Sequence, residues 1–275
     1  MISKIIPLNN SWEFTSHCTY AFLDGTEACG SVVRLPHTTR VTPFDYFDET
    51  DYQMDCAYRR YLKLDLREDQ RVFLRLGAAG HHAEVWLDGK KISEHDCGYT
   101  AFETELTGEE WFRSDDLAND VHLLAIRVDS HEDRNIPPFG HVIDYMTFGG
   151  LYREAELVIT ESSRISDVWA RPEIDCAVNT GSGASFSGTV RTVTAIDAQD
   201  MRSKASERLS EPLLVRYRIF SRTDGKNALI SEKFIQAAES PVVTDLSCDG
   251  IRAWDTEDPF LYTPRDRAFT RRRSH

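Results

Sequence analysis

The stretch HVIDYMTFGGLYREAEL, residues 141–157, places an acid, two adjacent glycines, an aromatic residue and an arginine between apolar flanks. Asp144 is its candidate functional residue, because an ionised carboxylate can accept two hydrogen bonds from the donor groups of a ligand and so fix the ligand's orientation. A solvated loop acid, or an Asx-turn that bonds its own backbone, is the other interpretation, and the residues alone favour it. Gly149 and Gly150 are expected to let the chain turn sharply, and Arg153 to anchor the following strand by bonding carbonyls or a carboxylate.

Short segments of alternating polar and apolar residues surround that stretch, and no sustained helical stripe accompanies them. They are rich in β-branched and aromatic residues, which is typical of strands. They occupy residues 58–66, 71–76, 83–87, 122–128 and 154–159. Asp88-Gly89, between two apolar runs, predicts a tight hairpin, as does Asp224-Gly225. Many short strands without alternating helices indicate an all-β protein built as a sandwich or jelly roll.

The character of the sequence changes after Ile159, where a polar hinge precedes a new run of strands. We therefore predict a jelly-roll β-sandwich at residues 1–162 and a second β-sandwich at residues 163–263. The second segment, about 100 residues with turns at short spacing, has the size of an immunoglobulin-like sandwich but lacks the Cys…Trp…Cys framework of antibody domains. Residues 264–275 contain five arginines, a proline and little apolar pattern, and are expected to form an irregular basic tail.

Composition and charge exclude several classes of function. Of the 275 residues, 41% are hydrophobic and the net charge is −13, which fits a folded protein that repels the phosphate backbone of nucleic acids. The opening MISKIIPLNNSWEF is too poor in apolar residues for a signal peptide or a membrane span, so we interpret the chain as a cytoplasmic protein that binds no membrane. Its six cysteines are scattered and are expected to be free thiols, not metal ligands. The adjacent His81 and His82 are expected at the surface, because neighbouring strand residues point to opposite faces and cannot share one metal.

Five segments stand out in order along the chain. They are RLPHTT (34–39), AYRRYLKL (57–64), AEVWLDGKKISEHDCGYTAFETELT (83–107), FGGLYREAEL (148–157) and IRAWDTEDPFLYT (251–263). Together they resemble the amino-terminal half of family 2 glycoside hydrolases, the group of β-galactosidases, β-glucuronidases and β-mannosidases. The last segment is similar to the W-x-x-x-x-P-x-L-Y element that closes the family's second domain. The resemblance covers nearly the whole chain and implies a galactose-binding-like jelly roll followed by an immunoglobulin-like domain.

The resemblance implies a role for Asp144. In the family, an acid at this offset before the G-G-[ILV]-[YF]-R motif reaches the substrate pocket and contacts the terminal sugar directly or through a bound sodium ion. Asp144 is therefore the predicted substrate-binding residue, sodium in an intact enzyme is the one cofactor implied, and a terminal β-glycoside is the expected partner. Hydrolysis in the family is carried by two glutamates about 5 Å apart on a (β/α)₈ barrel. The chain stops where that barrel is expected to begin, so we expect it to carry no catalytic residue and to be inactive alone.

Three functions stay open at this point. The first is a non-catalytic amino-terminal portion of a family 2 β-glycosidase, most like a β-galactosidase, that supplies a wall of the substrate pocket. The others are a free-standing carbohydrate-binding module and a structural or interaction protein. The ending PRDRAFTRRRSH departs from the family pattern; an artificial cut, a truncated gene product or a frameshift would explain it, and the last two are favoured. Without a covering barrel, the face around Asp144, Phe148 and Tyr152 is expected to be exposed apolar surface or a contact with another copy of the chain.

Overall fold

The structure, a computed structural model, divides into two compact units, Ile2–Thr160 and Glu161–His275. We call them the amino-terminal unit and the carboxy-terminal unit. The structure describes residues 4–28, 30–41, 44–45, 48–64, 66–67, 69–107, 121–137, 147–180, 183–198, 208–223, 226–257 and 259–270. Among these residues, no helix is both long and apolar enough to cross a membrane.

Strands dominate the amino-terminal unit. They are β1 Lys4–Pro7, β2 Trp12–Thr15, β3 Ser31–Val33, β4 Asp55–Lys63, β5 Gln70–Leu76, β6 His82–Leu87, β7 Lys90–Asp96, β8 Phe102–Glu105, β9 Val121–Asp129 and β10 Ala155–Glu161. One helical turn, α1, spans Tyr20–Leu23, and a 3₁₀ turn spans Glu49–Tyr52. The five segments predicted from alternation correspond to β4, β5, β6, β9 and β10, which confirms the reading of their two-residue period.

The strands form two sheets that enclose one hydrophobic core. Within the described residues the sheet orders are β1-β10-β5-β8 and β3-β2-β4-β9-β6-β7. Pairing along β2-β4-β9-β6-β7 is antiparallel. The core contains fully buried side chains from both sheets, among them Trp12, Tyr58, Leu74, Ile126 and Leu157. This arrangement confirms the predicted jelly-roll β-sandwich.

The β6–β7 hairpin turns at Asp88-Gly89, as predicted. Their φ angles are 49° and 75°, the positive values that a tight two-residue hairpin requires. The Asp88 side chain also binds the neighbouring strand. Its Oδ2 lies 2.7 Å from His122 Nδ1, and its Oδ1 accepts a hydrogen bond from the Leu123 N–H at 2.7 Å. The turn is therefore fixed both by its own backbone and by β9.

The carboxy-terminal unit contains two three-stranded sheets in its described part. Its strands are β11 Ser163–Thr180, β12 Gly183–Ala198, β13 Arg208–Thr223, β14 Lys226–Glu239, β15 Val242–Ile251 and β16 Tyr262–Thr270. The sheet orders are β11-β12-β15 and β14-β13-β16, with Val215, Tyr217 and Leu246 in the core. This is the immunoglobulin-like β-sandwich that the sequence predicted. The second predicted hairpin turn, Asp224-Gly225, lies outside the described residues.

The expectation of an irregular tail is wrong for residues 264–270, which belong to β16. This strand pairs antiparallel with β13 and places Ala268, which is buried, opposite Val215. Pro264 fits because β16 is an edge strand, where a missing N–H donor can face away from the sheet. Interspersed arginines conceal the two-residue period in the sequence. Residues 271–275 lie outside the described part of the chain.

Candidate functional site

Asp144, the predicted substrate-binding residue, lies outside the described residues. The described chain before and after it meets one edge of the amino-terminal unit. Before it, the Pro137 carbonyl accepts a hydrogen bond from the Gly98 N–H at 3.4 Å. After it, Gly150 forms an isolated β-bridge with Gly80, whose N–H donates to the Gly150 carbonyl at 3.1 Å. We define the edge site as residues 77–81, 97–100 and 147–153.

The FGGLYR motif is held by a close approach between Gly150 and Tyr58. Gly150 has a φ of 92°, the backbone role expected of it, and a β-carbon there would stand 2.4 Å from the Tyr58 hydroxyl. That hydroxyl accepts a hydrogen bond from the Leu151 N–H at 3.4 Å and lies 2.9 Å from His37 Nδ1. The His37 N–H in turn donates to the Leu151 carbonyl at 2.8 Å. Two of the segments noted in the sequence, RLPHTT and FGGLYREAEL, therefore meet around one buried tyrosine.

His81 lies in the interior of the edge site, so the surface position expected for it is wrong. Its N–H donates to the Asp129 carbonyl at 2.8 Å, and its carbonyl accepts from the Cys97 N–H at 3.1 Å. The backbone of β9 and the backbone at Cys97 therefore pack on either side of His81. A β-carbon on Gly98 would stand 3.0 Å from His81 Nδ1, so the glycine makes room for the ring. His82, by contrast, is half-buried.

Tyr152 and Arg153 tie the end of the motif to the opposite side of the edge site. The Tyr152 hydroxyl donates to the Gly98 carbonyl. Arg153 Nη1 donates to the carbonyls of Tyr99 at 3.3 Å and Gly77 at 3.5 Å. The sequence predicted that Arg153 would anchor its strand through carbonyls, and these bonds confirm that role.

Burial keeps the histidines and phenols of this region uncharged. It lowers the pKa of His37 and of His81 below the usual histidine value, because the charged imidazolium loses hydration. It raises the pKa of Tyr58 and of Tyr152 for the same reason, since the phenolate is disfavoured. At neutral pH the two imidazoles and the two phenols are therefore uncharged.

Aromatic side chains at the edge site face solvent. Phe148 is 48% exposed and Tyr99 is 38% exposed. The sequence predicted an exposed face around Phe148 and Tyr152. The Phe148 side chain is exposed, whereas Tyr152 is half-buried because its hydroxyl group reaches the Gly98 carbonyl. The edge site therefore offers solvent two partly exposed aromatic side chains, Phe148 and Tyr99.

Sequence reasoning missed three residues that build this site. Tyr58 and His37 lie inside the quoted segments, but no feature of the neighbouring sequence shows that the two side chains meet. His81 was expected at the surface. Gly98 was the one available signal, because a glycine within a strand-rich segment suggests a close approach of backbone. The structure shows that His81 is what approaches it.

Known proteins similar to this chain include two β-galactosidases. One from Thermoanaerobacter pseudethanolicus is 36% identical over 163 residues, which cover 59% of this chain and 20% of that protein. One from Rhizobium meliloti is 26% identical over 277 residues, which cover 94% of this chain and 31% of that protein. The similarity therefore extends beyond the edge site to both units.

Solved structures share the fold. β-Glucuronidase 2 of Bacteroides uniformis aligns with a TM-score of 0.74 at 22% identity, over 98% of this chain and 31% of that chain. A glycoside hydrolase family 2 member from Bacteroides cellulosilyticus aligns with a TM-score of 0.70 at 17% identity, over 97% and 34%. The chain resembles glycoside hydrolase family 2 across both units. No protein-family model matches the chain. It spans 20% to 31% of the length of the first three curated relatives.

Proposed function

We propose that this chain forms a non-catalytic wall of the substrate pocket of a β-glycosidase of the β-galactosidase type. Asp144 accepts hydrogen bonds from the terminal sugar of a β-glycoside. The observation that supports this is that Pro137 and Gly150, which lie before and after Asp144 in the sequence, both bond to one edge of the amino-terminal unit. Fixing a binding group before the ligand arrives reduces the entropy lost on binding.

A chimera tests the role of Asp144. The amino-terminal unit of this chain replaces the matching segment of the T. pseudethanolicus β-galactosidase, and hydrolysis of a nitrophenyl β-galactoside is measured. We expect Asp144→Asn to lower kcat/KM by about 10- to 100-fold, because hydrogen bonds to a charged group contribute roughly 1.5–3 kcal/mol. The control is Asp69→Asn, which changes an exposed acid paired with Arg67. Equal kcat/KM in the two variants would contradict the assignment.

The sodium ion implied by the family is tested in the same assay. If sodium lies between Asp144 and the sugar, potassium in its place lowers the activity of the unsubstituted chimera and leaves the Asp144→Asn chimera unchanged. A loss of equal size in both chimeras would place the ion elsewhere.

The chain alone should not hydrolyse nitrophenyl β-galactoside above the blank. Retaining hydrolysis needs two carboxyl groups about 5 Å apart with distinct protonation states, and the family carries them on its barrel. Activity that co-purifies strictly with this polypeptide through successive columns would overturn this part of the proposal.

The exposed aromatic edge also supports self-association of the chain. Phe148 is 48% exposed at the edge site, and burial of such a side chain against a second copy is favourable. We expect Phe148→Ser to shift sedimentation at high concentration toward the monomer. Phe44, which is 99% exposed, provides the control Phe44→Ser. Equal behaviour of the two variants would exclude a specific contact through the edge site.

A further inference from the structure

A cluster of three potential metal ligands lies on the β6–β7 hairpin, outside the edge site. His82 and Glu84 are two residues apart on β6 and so share one face of the sheet. Glu94 on β7 stands directly opposite Glu84. One ligand atom from each residue lies within 4.8 Å of the others. The three side chains therefore converge on one point across two paired strands.

The His82 ring is oriented as in metal sites. Its Nδ1 lies 2.6 Å from Asp96 Oδ1, and its Nε2 lies 3.9 Å from Glu84 Oε1. When the ring is neutral, the Asp96 carboxylate holds the proton on Nδ1 and leaves the Nε2 lone pair facing Glu84. Metal-bound histidines generally donate their second N–H to a carboxylate in this way. A distance of 3.9 Å is too long for a hydrogen bond and close to the separation of about 3.4 Å between two ligands of a tetrahedral zinc ion.

A cation already bridges the two carboxylates. Lys91 Nζ lies 3.1 Å from Glu84 Oε1 and 2.8 Å from Glu94 Oε2. Glu84 is largely buried, and Trp86 Nε1 donates to its Oε2 at 3.1 Å while Arg127 Nη1 lies 3.4 Å from its Oε1. The glutamate is thus fixed in place, whereas Lys91 is partly exposed and attached through a flexible stem.

We infer that His82, Glu84 and Glu94 bind one zinc ion, which displaces the Lys91 ammonium and takes solvent as its fourth ligand. One imidazole and two carboxylates form a donor set that suits zinc. Asp96 is a positioning residue, since it acts by orienting the His82 ring. The bound ion would join β6 to β7, the edge strand of its sheet, next to residues 97–100 of the edge site.

Calorimetric titration of zinc chloride into the chelator-treated, tag-free chain tests the inference. We expect one ion per chain at the site, with binding there lost or weakened at least tenfold in His82→Ala and weakened about 10- to 100-fold in Asp96→Asn. Lys91→Met should bind zinc more tightly than the unsubstituted chain, because a competing charge is removed. Zinc should also raise the thermal midpoint of the unsubstituted chain and leave that of His82→Ala unchanged.

The matched control is His131→Ala. His131 Nδ1 lies 2.6 Å from Asp129 Oδ1, the same imidazole–carboxylate geometry, and His131 is not part of a three-ligand group in the described part of the chain. Its removal should leave zinc affinity unchanged. If His82→Ala fails to fold, Glu94→Gln replaces it, because Glu94 is exposed on an edge strand. Unchanged affinity in His82→Ala or Glu94→Gln, equal loss in His131→Ala, or no gain in Lys91→Met would each overturn the site.

Discussion

Gly150 approaches Tyr58 so closely that a β-carbon on the glycine would stand 2.4 Å from the phenolic oxygen. Gly150 also has a φ of 92°, which side chains disfavour. We expect Gly150→Ala to lower the free energy of unfolding by about 2–4 kcal/mol, from backbone strain and the clash together. Urea denaturation measures this.

Gly250→Ala is the control for that prediction. Gly250 has a φ of 67°, but a β-carbon there would meet nothing within 4 Å. The Gly250→Ala substitution should lower the free energy of unfolding only through backbone strain, by about 1–2 kcal/mol. Equal costs at the two positions would show that the Tyr58 contact tolerates a methyl group.

Glu105→Ala should strongly destabilise the amino-terminal unit. Arg71 is fully buried, and its Nε and Nη2 each donate to a Glu105 carboxylate oxygen at 2.8 Å. Removing the carboxylate takes both of these charged hydrogen bonds away from a buried guanidinium, which costs about 3–5 kcal/mol. The corresponding change at the more exposed Arg75–Glu103 pair, Glu103→Ala, should cost less than about 1 kcal/mol in the same urea experiment. A small effect at both positions would contradict this account.

Asp266→Asn should change how stability depends on pH. Burial on β16 raises the pKa of Asp266 from 3.8 to about 6. Between these values the folded state holds a proton that the unfolded state has released, so this group's contribution to stability falls as pH rises through that window. Above pH 6 the cost of a partly buried charge stays constant. Urea denaturation at pH 4, 5, 6 and 7 should show Asp266→Asn gaining stability over the unsubstituted chain as pH rises; parallel curves would refute it.

Cys97 should be alkylated before Cys18. The Tyr99 N–H donates to the Cys97 sulfur and lowers the pKa of the thiol, whereas burial raises the pKa of Cys18 to about 12. The thiolate is the reactive form, so iodoacetamide at pH 7.5 should label Cys97 first. Peptide mass mapping over time measures both sites in one sample. Faster labelling of Cys18 would show that access, not ionisation, controls the order.

Local features of the sequence determined the strands and one hairpin. The alternation of β4, β5, β6, β9 and β10 reflects which face each side chain takes, and this depends only on the two-residue repeat of a strand. Asp88 and Gly89 adopt positive φ values, which aspartate and glycine tolerate without contacts from distant parts of the chain. The order of short segments along the chain was likewise sufficient to indicate family 2.

Only the tertiary structure decided which residues surround the FGGLYR motif. Tyr58 and Leu151 are 93 positions apart, yet their hydrogen bond helps to hold the motif. His81 is buried because β9 and residue 97 pack against its backbone, and residues 264–270 form a strand because β13 offers an open edge. The convergence of His82, Glu84 and Glu94 likewise depends on the register between β6 and β7. Strand formation follows from short-range preferences, whereas burial and side-chain partners depend on which distant segments pack together, so they emerge only when the chain is folded.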